Sequence, residues 1–180
     1  MNNNNNNNNN KPVDWKESGL TVKLNKQLDE KKEIKRCITC IILNDGGDEI
    51  LVLEHKKCKG KFSLPAGTVE PDEMNNTKKT AVREMEEELC IYINENDLSL
   101  WEEKVPSYYD RIDGHKIYVE DVYVVSDWYG EIVNNEPLKH PNLIWIPLEI
   151  AFNNPEIFTY QTWRVISSLY ERKIYNDIKK

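Results

Sequence analysis

Gly67 to Ile91 reads GTVEPDEMNNTKKTAVREMEEELCI. Near its end Glu84, Glu87 and Glu88 stand at i, i+3 and i+4, and at about 100° per residue this spacing gathers them on one helical face. Ala81, Val82, Met85 and Leu89 form the neighbouring stripe. Packing that stripe against a sheet would hold the carboxylates in place. Thr77 is the expected N-cap of a helix running to about Leu89. Glutamates crowded at a helix end read either as a solvated charged face or as a metal site. Here Glu84, Glu86, Glu87 and Glu88 repel one another with only Arg83 as an adjacent cation, and that repulsion favours a bound divalent ion. Hard, ionised oxygens suit Mg²⁺ or Mn²⁺, and Mg²⁺ commonly bridges to substrate phosphates.

Upstream of this stretch, Glu33–Leu43 and Glu49–Glu54 are apolar, β-branched runs separated by NDGGD, which predicts a β-hairpin. His55–Lys61, HKKCKGK, is a basic loop. It reads either as a solvated connection or, through Lys59 and Lys61, as a set of cations near an incoming anionic ligand. FSLPAG follows as a short strand ended by Pro65. Downstream, strand character returns at Leu98–Val105, Lys116–Ser126 and Asn142–Ile146, and helical character at Leu148–Phe152 and Glu156–Tyr170. The alternation of strands and helices predicts an α/β fold with a mixed sheet between helices.

The chain has 180 residues, which suits one domain with a sizeable core. Met1 is followed by an unbroken asparagine run to residue 10, a low-complexity tract expected to stay disordered because it has almost nothing apolar to bury. Residues 11–32 read as an added strand or a mobile arm, and residues 33–175 as the folded domain. The start lacks the basic and apolar pattern of a signal peptide, and no segment reaches the roughly 18 apolar residues of a membrane span. A cytoplasmic protein that does not enter membranes is expected. The net charge of −7, from 24 Lys+Arg against 31 Asp+Glu, disfavours stable nonspecific binding to nucleic acid. Cys37, Cys40, Cys58 and Cys90 read as free thiols. The pair in CITCIIL lies three apart on a strand, pointing to opposite faces, so it does not suit a shared metal.

The central stretch resembles the signature of the Nudix hydrolases, G-x5-E-x7-R-E-U-x-E-E-x-G-U, where U is a bulky aliphatic residue. Gly67 and Glu73, then Arg83, Glu84, Met85, Glu87, Glu88 and Ile91, occur in its order. Two positions depart from it: nine residues rather than seven separate Glu73 from Arg83, and Cys90 stands where the pattern has glycine. The extra pair, within MNNTK, would lengthen the loop without rotating the carboxylates relative to one another. Cys90 puts the helix end in question, since that position often takes positive φ.

The resemblance implies a Nudix-type α/β/α sandwich. It implies that Glu84, Glu87 and Glu88 bind Mg²⁺ or Mn²⁺, with the carbonyl of Gly67 as a further ligand, and that Glu73 and Arg83 are loop-to-helix partners. It implies hydrolysis of a diphosphate linkage in a small-molecule nucleotide, the metal neutralising charge and acidifying the attacking water. Glu84 and Glu136 are the candidates for general base. The segment NNEPLKHPNLIWIPLE resembles part of the MutT-type pyrophosphohydrolases. His140 and Trp145 within it, and Tyr109 upstream, either line a base pocket or simply pack. Family members also act on dinucleoside polyphosphates, ADP-ribose, diphosphoinositol phosphates or capped RNA, and some Nudix-fold modules bind nucleotides without turnover.

Overall fold

A computed structural model describes residues 34–178 of the protein. The asparagine tract and the arm at residues 11–32 lie outside the described residues. The described residues form seven strands: β1 (Lys35–Ile42), β2 (Glu49–His55), β3 (Lys61–Ser63), β4 (Ala66–Thr68), β5 (Leu98–Arg111), β6 (Gly114–Val125) and β7 (Leu143–Pro147). The helices are α1 (Thr77–Leu89), α2 (Leu148–Asn153) and α3 (Tyr160–Ile178). A four-stranded sheet runs β4-β1-β6-β5, and a three-stranded sheet runs β3-β2-β7. The first is mixed, with β1 and β6 parallel and the other neighbours antiparallel. The second is antiparallel throughout.

Strand periodicity explains the layers. On β1 and β2, Ile38, Cys40, Ile42, Leu51 and Leu53 enter one core with Ala81, Met85 and Leu89 of α1. The intervening Ile41, Ile50 and Val52 enter a second core with Leu148 of α2 and Val165, Ile166 and Leu169 of α3. Both faces of these strands are therefore covered by helices, which is why their sequences are continuous apolar runs. The fold is an α/β sandwich with the mixed sheet between helices. Among the described residues no helix is long and apolar enough to cross a membrane.

The predicted hairpin is corrected. The NDGGD turn is present, with Asn44 Oδ1 accepting the amides of Asp48 and Glu49 at 3.0 and 3.1 Å, but β1 and β2 enter different sheets. Beyond the single bridge between Leu43 and Ile50 no ladder joins them, because β1 is already flanked by β4 and β6, and β2 by β3 and β7. FSLPAG is likewise two strands: β3 ends in one sheet, Leu64 and Pro65 cross over, and β4 begins in the other. β5 continues well past Val105, through Pro106, which pairs with Val119. Proline is tolerated there because β5 is an edge strand.

Candidate active site

The helix that carries the acids is fixed at both ends. Asn76, not Thr77, is the N-cap residue. The Thr77 hydroxyl instead donates to buried Asp121 on β6 at 2.7 Å and lies 2.8 Å from the Tyr123 hydroxyl. Asp121 also takes Arg36 of β1 at 2.6 Å, and the other arm of Arg36 reaches the Met74 carbonyl at 3.1 Å. One buried carboxylate thus ties the helix start, the preceding loop and two strands together. At the other end Cys90 adopts the left-handed conformation with φ 57°. Its amide bonds to the Glu86 carbonyl at 3.1 Å, and that of Ile91 to Met85 at 3.4 Å. The helix ends in a left-handed αL cap, closed by the bond from Cys90 to Glu86, even without glycine.

The lengthened loop is absorbed by turns before the helix, with Glu73 N–H bonded to Glu70 O at 3.0 Å and Asn76 N–H to Glu73 O at 2.8 Å. Glu73 consequently points inward. Arg83 grips it with two arms, at 3.2 and 3.1 Å, and the Thr80 hydroxyl adds a bond of 2.7 Å. The hydrogen bond from Arg83 is the main reason that the Glu73 carboxyl is held down to about 2, and Glu73 in turn pushes the guanidinium up. Arg83 also reaches Thr68 O at 3.1 Å, Glu84 at 2.8 Å and Glu87 at 3.2 Å. It is the hub that offsets the repulsion read in the sequence.

Gly67 on β4 is where strand and helix come closest. A Cβ there would sit 1.9 Å from Cδ of Glu84, so only glycine lets the carboxylate rest against the backbone. Burial in this cleft pushes Glu84 up to about 7, against the opposing pull of Arg83. Glu88 is buried on the other side of the helix face. Its Oε2 accepts the Ala66 amide at 3.2 Å, and its Oε1 lies 3.3 Å from Nε2 of His140. Burial raises its pKa too. The side chain of Glu87 is half exposed. Glu84 and Glu87 therefore lean toward Arg83, and Glu88 toward His140.

The loop after β6 brings in residues that the sequence pattern could not place. Val133 N–H bonds to Leu89 O at 2.9 Å, Asn135 N–H to Glu88 O at 3.0 Å, and Asn135 Nδ2 to Glu87 O at 2.9 Å. These donors satisfy the last carbonyls of α1, which no helical amide can reach. In doing so they dock the loop so that oxygens of Glu136 and Glu88 and a nitrogen of His140 lie within 4.8 Å of one another. Lys139 pairs with Glu136 at 2.7 Å. Nothing in a single sequence marks Asn135 as a docking group.

The other candidates lie apart from this cluster. Lys59 is exposed and paired with Asp110 at 2.7 Å, and Lys61 is exposed on β3. The Tyr109 hydroxyl donates to buried Glu120 at 3.1 Å, and its ring stands edge-on to Tyr118. Trp145 is partly buried on β7, opposite Leu51, and packs against the core under α1. His140, by contrast, belongs to the cluster and at 4% exposure sits against Glu88.

The sequence profile of the NUDIX domain matches residues 34–167. Comparison with curated proteins finds no match in sequence. Among solved structures, a MutT NUDIX hydrolase from Burkholderia pseudomallei superposes with a TM-score of 0.60 at 24% identity, covering 76% of this chain and 98% of its own. An Ap4A hydrolase from C. elegans gives 0.52 at 19%, covering 80% and 98%. The NUDIX domain of Shewanella oneidensis NrtR, solved with ADP ribose, gives 0.55 at 14%, covering 86% and 98%. At these identities the structures attest the fold that the chain shares.

Proposed function

The chain belongs to the NUDIX family of pyrophosphohydrolases, and from that premise we propose that it hydrolyses a diphosphate linkage in a nucleoside di- or triphosphate, or a related nucleoside diphosphate derivative, in the cytoplasm with Mg²⁺ or Mn²⁺. The observation that carries this reading is the pair of buried carboxylates, Glu84 and Glu88, set one helical turn apart and pressed against the backbone of Gly67 and Ala66. Carboxylates so placed resist ionisation, and a divalent cation would relieve that cost. Glu84, Glu87 and Glu88 would hold such an ion, joined by the Gly67 carbonyl, since ionised carboxylate and carbonyl oxygens are the donors that hard divalent cations take.

When bound, the cation supplies charge neutralisation on the diphosphate and makes an attacking water more acidic. The chain's own residues do the rest. Arg83 and Glu73 hold Glu84 and Glu87 in orientation. The buried side of α1 limits water around Glu84, whose ionised carboxylate would stand beside the attacking water to accept its proton. Glu136, tethered to Lys139, is the second acid within reach of Glu88 and the alternative base.

The test is a panel of nucleotide and non-nucleotide diphosphates incubated with Mg²⁺ or Mn²⁺, with products separated by chromatography. Release of a nucleoside monophosphate is expected. Saturable binding of nucleotides without any turnover would overturn the proposal in favour of a nucleotide-binding module. Glu88→Gln should lower kcat by about 10²-fold or more with an unchanged circular dichroism spectrum, and unaltered activity would sink its metal role.

A further inference from the structure

His140 brings a nitrogen donor to a site that the sequence reads as all oxygen. Nδ1 of its ring lies 3.2 Å from the carbonyl oxygen of Glu54. A carbonyl only accepts, so Nδ1 carries a proton and donates it. The other ring nitrogen, Nε2, faces Oε1 of Glu88 at 3.3 Å. A ring nitrogen and a carboxylate oxygen thus meet between two residues that are 4% and 5% exposed, sheltered from bulk water.

Three features favour a metal cation. The Nδ1–H bond to a backbone carbonyl is the orientation in which ligating imidazoles are held. Oε2 of Glu88 is already engaged by the Ala66 amide, which leaves Oε1 as the atom turned toward the ring. A third donor, from Glu136, converges on the same point, with all three donor atoms within 4.8 Å, whereas a simple His–Glu pair needs no third member. His55 packs edge-on against the His140 ring, centroids 5.1 Å apart, and restrains it. Lys139 now neutralises Glu136 at 2.7 Å; a divalent ion would take over that task.

We propose that Glu88, Glu136 and His140 form a mixed nitrogen–oxygen site for a divalent cation, which biases this protein toward Mn²⁺ over Mg²⁺. Imidazole is a common ligand for transition metals, whereas Mg²⁺ strongly prefers oxygen and retains its waters. The inference extends the hydrolase reading through its shared ligand Glu88, but cation binding can be read without substrate.

The experiment is electron spin echo spectroscopy of the full-length protein loaded with Mn²⁺ alone, with affinities for Mn²⁺ and Mg²⁺ from calorimetry. Imidazole-nitrogen modulation is expected in the unaltered protein and its loss in His140→Ala, with Mn²⁺ affinity lowered about tenfold or more and Mg²⁺ affinity changed less. Glu136→Gln should weaken Mn²⁺ binding while keeping the modulation, which guards against His140→Ala simply failing to fold. Absence of nitrogen modulation in the unaltered protein, or its persistence in His140→Ala, would overturn the proposal and leave an imidazolium–carboxylate pair. Nitrogen modulation without turnover on any substrate would remove the hydrolase reading and keep this site; turnover without modulation would do the reverse.

Discussion

Gly67 shows how a single hydrogen in place of a methyl group shapes the site. Alanine there would push against the carboxylate of Glu84, with its Cβ 1.9 to 2.1 Å from three atoms of that side chain, and either the strand or the acid would have to move. Gly67→Ala is expected to lower stability by about 1–3 kcal/mol, measured by urea denaturation, and to depress turnover further than that loss explains. The sequence marked Gly67 through its place in a motif, yet nothing in the spacing revealed that it touches Glu84. Glu73 and Arg83 were legible as partners because the motif pairs them. The neighbours of His140 were not, since the loop that carries it is docked by backbone donors whose registration no pattern encodes.

At the scale of the element, α1 was readable because its apolar stripe and its acids repeat with one period. Its C-terminus was the open question, and Cys90 answers it by accepting positive φ. A non-glycine residue is strained there, so Cys90→Gly should raise stability by about 0.5–1 kcal/mol, a small increase in Tm on thermal melting. At the N-terminus Asp121 carries the burden through Arg36 and Thr77. Asp121→Ala, which leaves Arg36 without its partner, is expected to destabilise the protein by about 3 kcal/mol. The strands were less legible than the helix. Their apolar runs announced burial on both faces, but a run without alternation does not say which neighbour lies on which edge. The hairpin and FSLPAG were therefore assigned to single units when each divides between two sheets.

For the whole molecule Glu73 and Glu84, two of the buried acids of the site, pull stability in opposite directions with pH. The folded pKa of Glu73, about 2, lies below its ordinary 4.5. Its contribution is therefore full above pH 4.5 and lost as pH falls toward 2. Glu84, at about 7, is raised above the same reference, so its contribution is full below pH 4.5 and is lost as pH rises through 7. Acid unfolding of Glu73→Gln should lack the first slope, and Glu84→Gln should flatten the second. Divalent cations bind the ionised form, so the rise in Tm that Mn²⁺ produces should be larger at about pH 8 than at about pH 5.

The left-handed turn at Cys90 has a practical consequence. Cys37, Cys40 and Cys58 are buried, while Cys90 is partly exposed, and burial pushes the thiols of Cys40 and Cys58 up, the latter to about 11. An alkylating fluorophore applied to the native protein should therefore modify Cys90 first. It would sit just beyond the last turn of the helix that carries Glu84, Glu87 and Glu88, and it would report on events at those acids as a change in emission.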